Sequence, residues 1–565
     1  MSPLLFAAAL AAPTGTIPAP STVLQSALSA ELDRARGLKL PDGAPPYLVL
    51  YDVLDGAMRD SLAEDGTLVR STDERYRNVR TEVRVGDYTV DSSNFSGFGE
   101  PDGVESRRLP VEDNELAIRR EAWLATDTAY KHAVETLSHK LAARKGLKEP
   151  PPPDYQPVPP TVRAPGAHPG NAWSNEEVDA LARSLSAAAS IPGVESAQVE
   201  VRDWHGWRLL LDTTGTAAWQ PTGNVVIRVE ANVRRADGSS VRDARWWVGR
   251  DASSLPDAAA LEAAAHDMAT RLLATAAAPA PKPWLGPVLF EGPAAAELFS
   301  QLLAPELAGT RPMEEDDSGD DFGGGAVPLA RLGRRLLPEG WTAWDDPTSH
   351  TGAAGEYAID HEGVVPHKVD LIFDGVLKDV LMSRIPGKDR TESTGHGRGL
   401  GNDRRGALPG FVHVKPPKLL AEKKLRADAI RLAKEVGQEG VLVIQRLMPP
   451  AMVDHLDVAF SGEGPLAGLT APYEACLLHA NGTCDPVRNL RFVGVDRRAL
   501  RDIVGASAGA GPIDMLDGPP GPQRYMIGAT GGVPVTWDVP SVLVSEMELD
   551  VAVGGEPRVL AIERK

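Results

Sequence analysis

Two proline-rich segments set the strongest limit on how this chain of 565 residues can fold. Residues 150–170 and 278–283 carry prolines too closely spaced for a helix or an inner strand, because each proline lacks a backbone N–H group. We interpret residues 150–170 as an extended surface linker inside a domain of residues 24–278. The second segment marks the boundary to a domain of residues 284–565, and residues 1–23 form a tail.

The two predicted domains differ in the periodicity of their apolar residues. In the first domain this periodicity predicts helices at 24–36, 112–145, from 175 onward and at 257–278. It predicts strands at 47–53, near 68, and at 79–85, 197–204, 207–212 and 224–235. Ser174 is the expected N-cap of the third helix, and His205 and Gly206 are expected to break a strand. Apart from helices near 294–307 and 418–436, the second domain has short strands and glycine turns. The fold class is therefore α+β, an N-terminal α/β-type domain with helices over a sheet followed by a β-rich C-terminal domain.

Charge and composition exclude some classes of partner. The formal net charge is −19, which argues against nucleic-acid binding and against an anionic membrane surface. After the N-terminus, no stretch approaches the roughly 20 apolar residues of a membrane span. An acidic run at 314–321 lacks the spacing of a calcium loop and predicts a solvated loop.

The N-terminus leaves two interpretations open. Residues 4–12 form a short apolar core that ends in small residues, as in a secretory signal, although no Lys or Arg precedes it. A signal would place the protein in the periplasm or outside the cell. A disordered Ala/Pro-rich tail would leave it in the cytoplasm.

Only two cysteines occur, Cys476 and Cys484, on either side of the turn signal formed by Asn481 and Gly482. A two-residue turn would pair His479 with Cys484 and leave Cys476 off register for a bridge. The sequence leaves both a disulfide and two buried thiols open.

Six segments of the C-terminal half resemble the TldD/PmbA family in order and spacing. They are a strand-to-helix entry, a D-D-P-T strand, a D-x-E-G turn, a G-x-L-K strand, an S-T-G-x-G-R loop and a late apolar strand, at residues 284–301, 345–348, 360–366, 374–378, 393–398 and 540–544. The resemblance implies a cleft of the kind found in a family of metallopeptidases. Metal-binding members carry a His-Glu-x-x-x-His helix whose histidines hold zinc and whose Glu activates water, and a late cysteine is the expected third ligand.

The positions that match this metal motif cannot perform its chemistry. They read Ser300, Gln301 and Pro305, and the stretch 517–523 contains no cysteine. Serine is a poor zinc ligand, proline is none, and an amide is no general base near neutral pH. The sequence therefore predicts no catalytic residue, no bound metal and no cofactor. His361 and His367 look like a second metal motif, but six residues of helix would put them on different faces.

The glycine-rich loop of Gly395, His396, Gly397 and Arg398 is the candidate substrate-binding element. By resemblance it borders the peptide-binding cleft, where Arg398 could pair with a carboxylate. The alternative is a tight turn with Arg398 packed internally.

Two functions follow as expectations. One is a PmbA-like, non-metal-binding subunit or pseudo-peptidase, a homodimer or a heterodimer with a zinc-bearing family member, which supports peptide proteolysis or processing. The other is an extracytoplasmic peptide-binding protein without catalysis.

Overall fold

A computed structural model describes residues 15–16, 19–41, 43–96, 103–145, 149–163, 169–170, 172–315, 332–349, 351–401, 404–448, 468–518 and 532–551. Its helices are α1 (Thr22–Ala35), α2 (Glu115–Arg144), α3 (Asn175–Ala189), α4 (Ala258–Ala277), α5 (Pro293–Leu302), α6 (Ala304–Leu307) and α7 (Glu422–Glu435). None of the described helices is long and apolar enough to cross a membrane. The signal-like residues 4–12 lie outside the described residues.

Strands of the N-terminal half form one large antiparallel sheet with the order β10-β9-β8-β2-β3-β5. The strands of this half are β1 (Gly15–Thr16), β2 (Pro46–Glu64), β3 (Thr67–Val85), β4 (Phe95–Ser96), β5 (Val104–Arg108), β6 (Val162–Arg163), β7 (Pro169–Gly170), β8 (Ser196–Asp212), β9 (Ala217–Arg234) and β10 (Ser240–Gly249). β6 adds to β9 in parallel, and β1 pairs with β7. The strands near 68 and at 79–85, predicted separately, are one strand, β3.

The two faces of this sheet have different partners, because side chains alternate along each strand. Odd-numbered apolar residues, such as Val49 and Leu209, pack with α1 and α2 or with α3 and α4. Even-numbered residues face the C-terminal half, where Leu50 and Leu210 pack with Ile359. The predicted arrangement of helices over a sheet is confirmed.

One predicted strand break is wrong. β8 runs through His205 and Gly206 because Gly206 lies opposite Gly56 of β2. A Cβ atom on Gly206 would lie 2.1 Å from the carbonyl oxygen of Asp55, so this glycine serves a close strand contact.

The C-terminal half contains two sheets. The first has the order β21-β20-β19-β11-β26-β22, with β23 also on β26, and the second has the order β15-β14-β13-β18-β25-β24. Their strands, with the short pairs β12–β4 and β16–β17, are β11 (Trp284–Phe290), β12 (Glu314–Glu315), β13 (Thr342–Asp345), β14 (Val369–Phe373), β15 (Val376–Leu377), β16 (Gly397–Arg398), β17 (Gly406–Ala407), β18 (Phe411–Lys415), β19 (Gly440–Leu447), β20 (Pro472–His479), β21 (Cys484–Val487), β22 (Leu490–Phe492), β23 (Ile503–Ser507), β24 (Ile513–Asp517), β25 (Val533–Asp538) and β26 (Ser541–Val551). α7 packs on one face of the first sheet, and α5 shares the large core between the two sheets.

The proline-rich segment is not the surface linker that we expected. Asp154 and Tyr155 are fully or almost fully buried. The backbone N–H of Gln156 donates to the carbonyl oxygen of Arg384, and the Thr161 hydroxyl donates to the carbonyl oxygen of Gly363. Proline keeps the segment extended, while its polar groups bind the C-terminal half.

Two further expectations change. Cys476 and Cys484 form a disulfide between neighbouring strands. The register pairs Leu478, not His479, with Cys484, so Cys484 lies on the same face of the sheet as Cys476, two residues before Leu478. In the acidic run, Glu314 is half-buried and pairs with Arg144 and Arg311 rather than facing solvent. Residues 316–321 lie outside the described part of the chain.

Candidate functional site

Helix α5 carries the first two positions of the degraded metal motif. It begins after Gly292, whose φ of 57° favours glycine, and Pro293 occupies its first turn. Residues 294–302 are all buried. The helix ends at Leu302, and α6 starts with Pro305 in its first turn, since proline lacks the N–H group that would continue the α5 hydrogen bonds. The third motif position therefore lies on a different helix.

Ser300 and Gln301 are satisfied by residues distant in the sequence. The Ser300 hydroxyl donates to Oδ2 of Asp517 over 2.9 Å, and both residues are buried. Gln301 donates through Nε2 to the Thr470 hydroxyl over 3.0 Å and accepts from the Thr470 backbone N–H over 2.9 Å. The hydroxyl and the amide at these two positions therefore each form hydrogen bonds with a residue distant in the sequence.

This arrangement does not fit the zinc site of metal-binding relatives. Ser300 supplies a neutral hydroxyl, Gln301 a neutral amide and Pro305 no ligand atom. Within the described ranges, no group of three or more His, Cys, Asp or Glu side chains could hold a metal ion. No reaction step through zinc follows from these residues.

A buried carboxyl group lies one turn before these residues. Glu297 accepts the backbone N–H of Leu447 over 2.6 Å. Burial raises the pKa of Glu297 to about 7, so this group binds a proton near neutral pH. It is the titratable group nearest in sequence to the motif positions on α5.

The glycine-rich loop is held inside the C-terminal half by its own side chains. His396 is fully buried and bonds through Nε2 to Asp345 over 3.2 Å. Arg398 donates to the carbonyl oxygens of Pro409 and Pro534 over 2.6 and 2.7 Å, and its guanidinium carbon lies 4.5 Å from the Tyr357 ring centroid. Burial lowers the pKa of Arg398. These contacts are those of an internally packed arginine, although Arg398 also lines a cavity beside the N-terminal sheet.

Glycine is required at two positions of the loop. Gly395 has a φ of 74°, and a Cβ atom there would lie 2.5 Å from the Cα of Pro366. A Cβ atom on Gly397 would lie 2.0 Å from Oε2 of Glu362. Packing alone therefore explains both glycines, and their substrate-binding role stays a prediction.

Two buried acids lie beneath this loop. Asp360 accepts the backbone N–H groups of Gly397, Glu362 and Val364, while Glu362 accepts that of Arg384. Burial raises the pKa of both carboxyl groups, and the neighbouring Asp360 charge raises that of Glu362 further. The aspartate and glutamate of the D-x-E-G segment thus organise the turn and the loop.

His361 and His367 form no metal motif. Residues 361–367 contain turns and no helix. Nδ1 of His361 lies 3.1 Å from the Gly399 carbonyl oxygen, and the His367 backbone N–H donates to Thr394.

Comparison with known proteins identifies this architecture as metallopeptidase-like. Residues 285–550 match the family model of the PmbA/TldA metallopeptidase C-terminal domain. Over 123 residues the chain is 34% identical to a metalloprotease of Methanocaldococcus jannaschii, a match that covers 21% of this chain and only 27% of that protein. The C-terminal half of the chain, residues 285–550, therefore belongs to the TldD/PmbA family.

Two solved structures share the fold over nearly the whole chain. A proposed modulator of DNA gyrase from Thermotoga maritima has a TM-score of 0.58 at 17% identity, covering 93% of this chain and 99% of that one. TldE from Thermococcus kodakarensis has a TM-score of 0.56 at 15% identity, covering 94% and 100%.

Sequence reasoning missed the residues that complete the site. Asp517 lies in the stretch 517–523, where the family motif predicts only a cysteine, and no motif surrounds Thr470. Arg208 and Trp204 of β8, which line the cavity beside Arg398, lie in a strand whose direction relative to the C-terminal half could not be read. The even residue numbers of Arg208 and Trp204 place both side chains on one face of β8, and this alternation was the signal that the sequence offered.

Proposed function

We propose that this chain is a PmbA-like, non-metal-binding subunit that supports peptide proteolysis or processing together with a zinc-bearing family member. The observation that carries the proposal is the pair of hydrogen bonds at the motif positions, from Ser300 to Asp517 and between Gln301 and Thr470. Both side chains already have hydrogen-bond partners, and neither supplies the charge or the basicity that zinc hydrolysis needs.

The position of β24 supports a role in holding an extended peptide. This strand is an edge of the second C-terminal sheet among the described strands, and it ends at Asp517 beside α5. It also approaches β10 of the N-terminal sheet, so it lies at the junction of the two halves. A peptide that adds to such an edge by main-chain hydrogen bonds would pass the motif positions.

Mixing experiments test the proposal. The purified chain, a zinc-bearing family member and their mixture are each incubated with casein, with and without a chelator. We expect the mixture to cleave faster than the zinc-bearing member alone, and the chain alone to cleave nothing. Zinc-dependent cleavage by the chain alone, or a mixture no faster than the zinc-bearing member, contradicts the proposal.

The alternative function is an extracytoplasmic peptide-binding protein without catalysis. The disulfide between Cys476 and Cys484 favours it, because structural disulfides persist mainly in oxidising compartments. Peptide binding by the chain alone, unchanged when a zinc-bearing member is added, would support this alternative over the subunit function. N-terminal sequencing of secreted or periplasmic material would test its location.

A further inference from the structure

A groove of about 340 Å³ lies on the first C-terminal sheet, between α7 and α4. Its floor comes from β19, β20 and β21, and its walls include Arg426 of α7 and Arg271 and Thr275 of α4. The volume is at the lower end of the range for small-ligand sites. This hairpin groove therefore has room for a small molecule at the place where the β20–β21 hairpin meets the N-terminal half.

A disulfide forms part of the floor of the hairpin groove, because both Cys476 of β20 and Cys484 of β21 line it. A disulfide is a reactive group towards thiolates. Both arginines of the walls are paired with a glutamate, Arg271 with Glu474 over 2.9 Å and Arg426 with Glu291 over 2.7 Å. We therefore expect access to the sulfur atoms, rather than the charge of the walls, to decide what reacts in the groove.

The two sulfur atoms differ in how freely a thiolate can reach them. Cys476 lies opposite Val443 of β19, which is 2% exposed, and packs against the core that α7 covers. Cys484 lies on β21, an edge strand among the described strands, and residues 481–485 are all exposed. A thiolate attacks one sulfur in line with the S–S bond, from the side opposite the other sulfur. That path comes from the open sheet edge for Cys484, but over Val443 for Cys476.

The disulfide fastens a strand that has few other attachments. Within the described strands β21 pairs only with β20, over four residue pairs. The hairpin also meets the N-terminal half, since β21 contacts α4 and the Arg271–Glu474 pair joins α4 to β20. Cleavage of the disulfide should therefore loosen β21 and this part of the contact between the two halves.

We propose that Cys484 is a thiol-exchange site, at which a small thiol such as glutathione cleaves the disulfide and releases β21. The thiolate bonds to Sγ of Cys484, and the bond between the two cysteine sulfurs breaks. Its electron pair leaves with Sγ of Cys476, which then takes a proton from water.

A second small thiolate completes the reduction. It attacks the small-thiol sulfur of the mixed disulfide, forms the disulfide of the small thiol and releases the Cys484 thiolate, which also takes a proton. The protein gains two electrons, and the two small thiols supply them. The hairpin groove would thus respond to the thiol content of its compartment. This exchange is independent of the proposed subunit function.

Reduced glutathione and the native, full-length protein show which sulfur is attacked. The folded protein is incubated with glutathione, free thiols are blocked with N-ethylmaleimide, and peptide mass spectrometry locates both modifications. We expect glutathione on Cys484 and the maleimide on Cys476. Glutathione on Cys476, glutathione on both cysteines equally, or reaction only after unfolding in urea would each overturn the assignment.

Single-cysteine variants measure the access of each thiol separately. Cys476→Ser leaves the thiol of Cys484, and Cys484→Ser leaves that of Cys476. With glutathione disulfide as the probe, the Cys484 thiol should react at least about tenfold faster in the folded protein, because reactivity follows exposure. The same variants unfolded in urea are the control and should react at similar rates. Equal rates in the folded variants would contradict the access argument.

Hydrogen exchange before and after reduction by glutathione tests the release of β21. Amides of residues 484–487 should exchange at least about tenfold faster after reduction, while those of β19 and α7 stay unchanged. The double variant Cys476→Ser/Cys484→Ser is the matched control. It should exchange like the reduced protein and should not respond to glutathione. Unchanged exchange at 484–487 after complete reduction would show that the disulfide does not fasten this strand.

Discussion

Replacing Asp154 with asparagine should destabilise the protein more than any other single change in the proline-rich segment. The Asp154 carboxylate is fully buried and lies 2.7 Å from Nζ of Lys140, 3.2 Å from Arg144 and 2.6 Å from Arg311. It also accepts the backbone N–H of Asp91. Two side chains of α2, the distant Arg311 and the backbone of Asp91 thus share one negative charge.

The magnitude follows from what Asp154→Asn leaves behind. Lys140 is fully buried, and burial already lowers its pKa, so its ammonium depends on the carboxylate. Breaking a buried ion pair by removing one partner costs about 3–5 kcal/mol. Glu314, 3.9 Å from the Lys140 ammonium, retains part of the compensation. We therefore expect about 3 kcal/mol.

Hydrogen exchange measured by mass spectrometry is the appropriate assay, because a chain with several cores need not unfold in one step. Amides of residues 149–163 should exchange faster in Asp154→Asn by the factor that corresponds to this free energy. Asp127→Asn is the control, since Asp127 forms an exposed pair with Lys131 worth at most about 1 kcal/mol. Equal effects of the two variants would refute the reasoning. The double variant Lys140→Met/Asp154→Asn should recover part of the loss, because the unpaired ammonium is gone.

Three further predictions concern the C-terminal half. Burial raises the pKa of Glu297 from 4.5 to about 7, so the folded protein binds this proton more tightly than the unfolded chain does. The free energy of unfolding therefore falls as the pH rises from 4.5 to about 7. Glu297→Gln should therefore stabilise the protein relative to wild type at pH 8 by up to about 3 kcal/mol, and much less at pH 5; urea unfolding at both pH values measures this, and an equal effect at both contradicts it. The disulfide closes a loop with a sequence separation of 8, so replacing Cys476 and Cys484 by serine should cost about 2–3 kcal/mol, and thiol labelling of the unfolded, unreduced protein should find no free thiol. Ser300→Ala should cost about 1–2 kcal/mol in urea unfolding because Asp517 is buried and loses a donor, whereas a neutral result would show that this hydrogen bond contributes nothing.

Local signals in the sequence predicted the helices well. Ser174 caps α3 as expected, with the reciprocal bond from Glu177, and Asp257 caps α4. Pro305 divides the helix predicted near 294–307 into α5 and α6. These features depend on residues within one turn of each other, so the sequence carries them directly.

Features that depend on distant partners could not be predicted. Gly206 was interpreted as a strand break because nothing in the sequence shows that it lies opposite Gly56. Asp154 was assigned to a surface linker because its cationic partners lie on α2 and beyond β11.

In the candidate site, too, the sequence predicted individual residues but not their distant partners. Resemblance to the family located Ser300 and Gln301, but their partners are 217 and 169 residues away in the chain. The charged even-numbered positions of β8, such as Arg208, have the alternation of a solvent-facing strand surface, and only the packing of the C-terminal half against them buries them.

The most direct test of the central claim is native mass spectrometry of the complex purified from its own host, with zinc assigned to each subunit. The proposed function predicts a complex in which a zinc-bearing family member carries the metal and this chain carries none. One zinc ion per chain on this subunit, retained after its partner is removed, would contradict the assignment of Ser300, Gln301 and Pro305 as positions that cannot hold a metal.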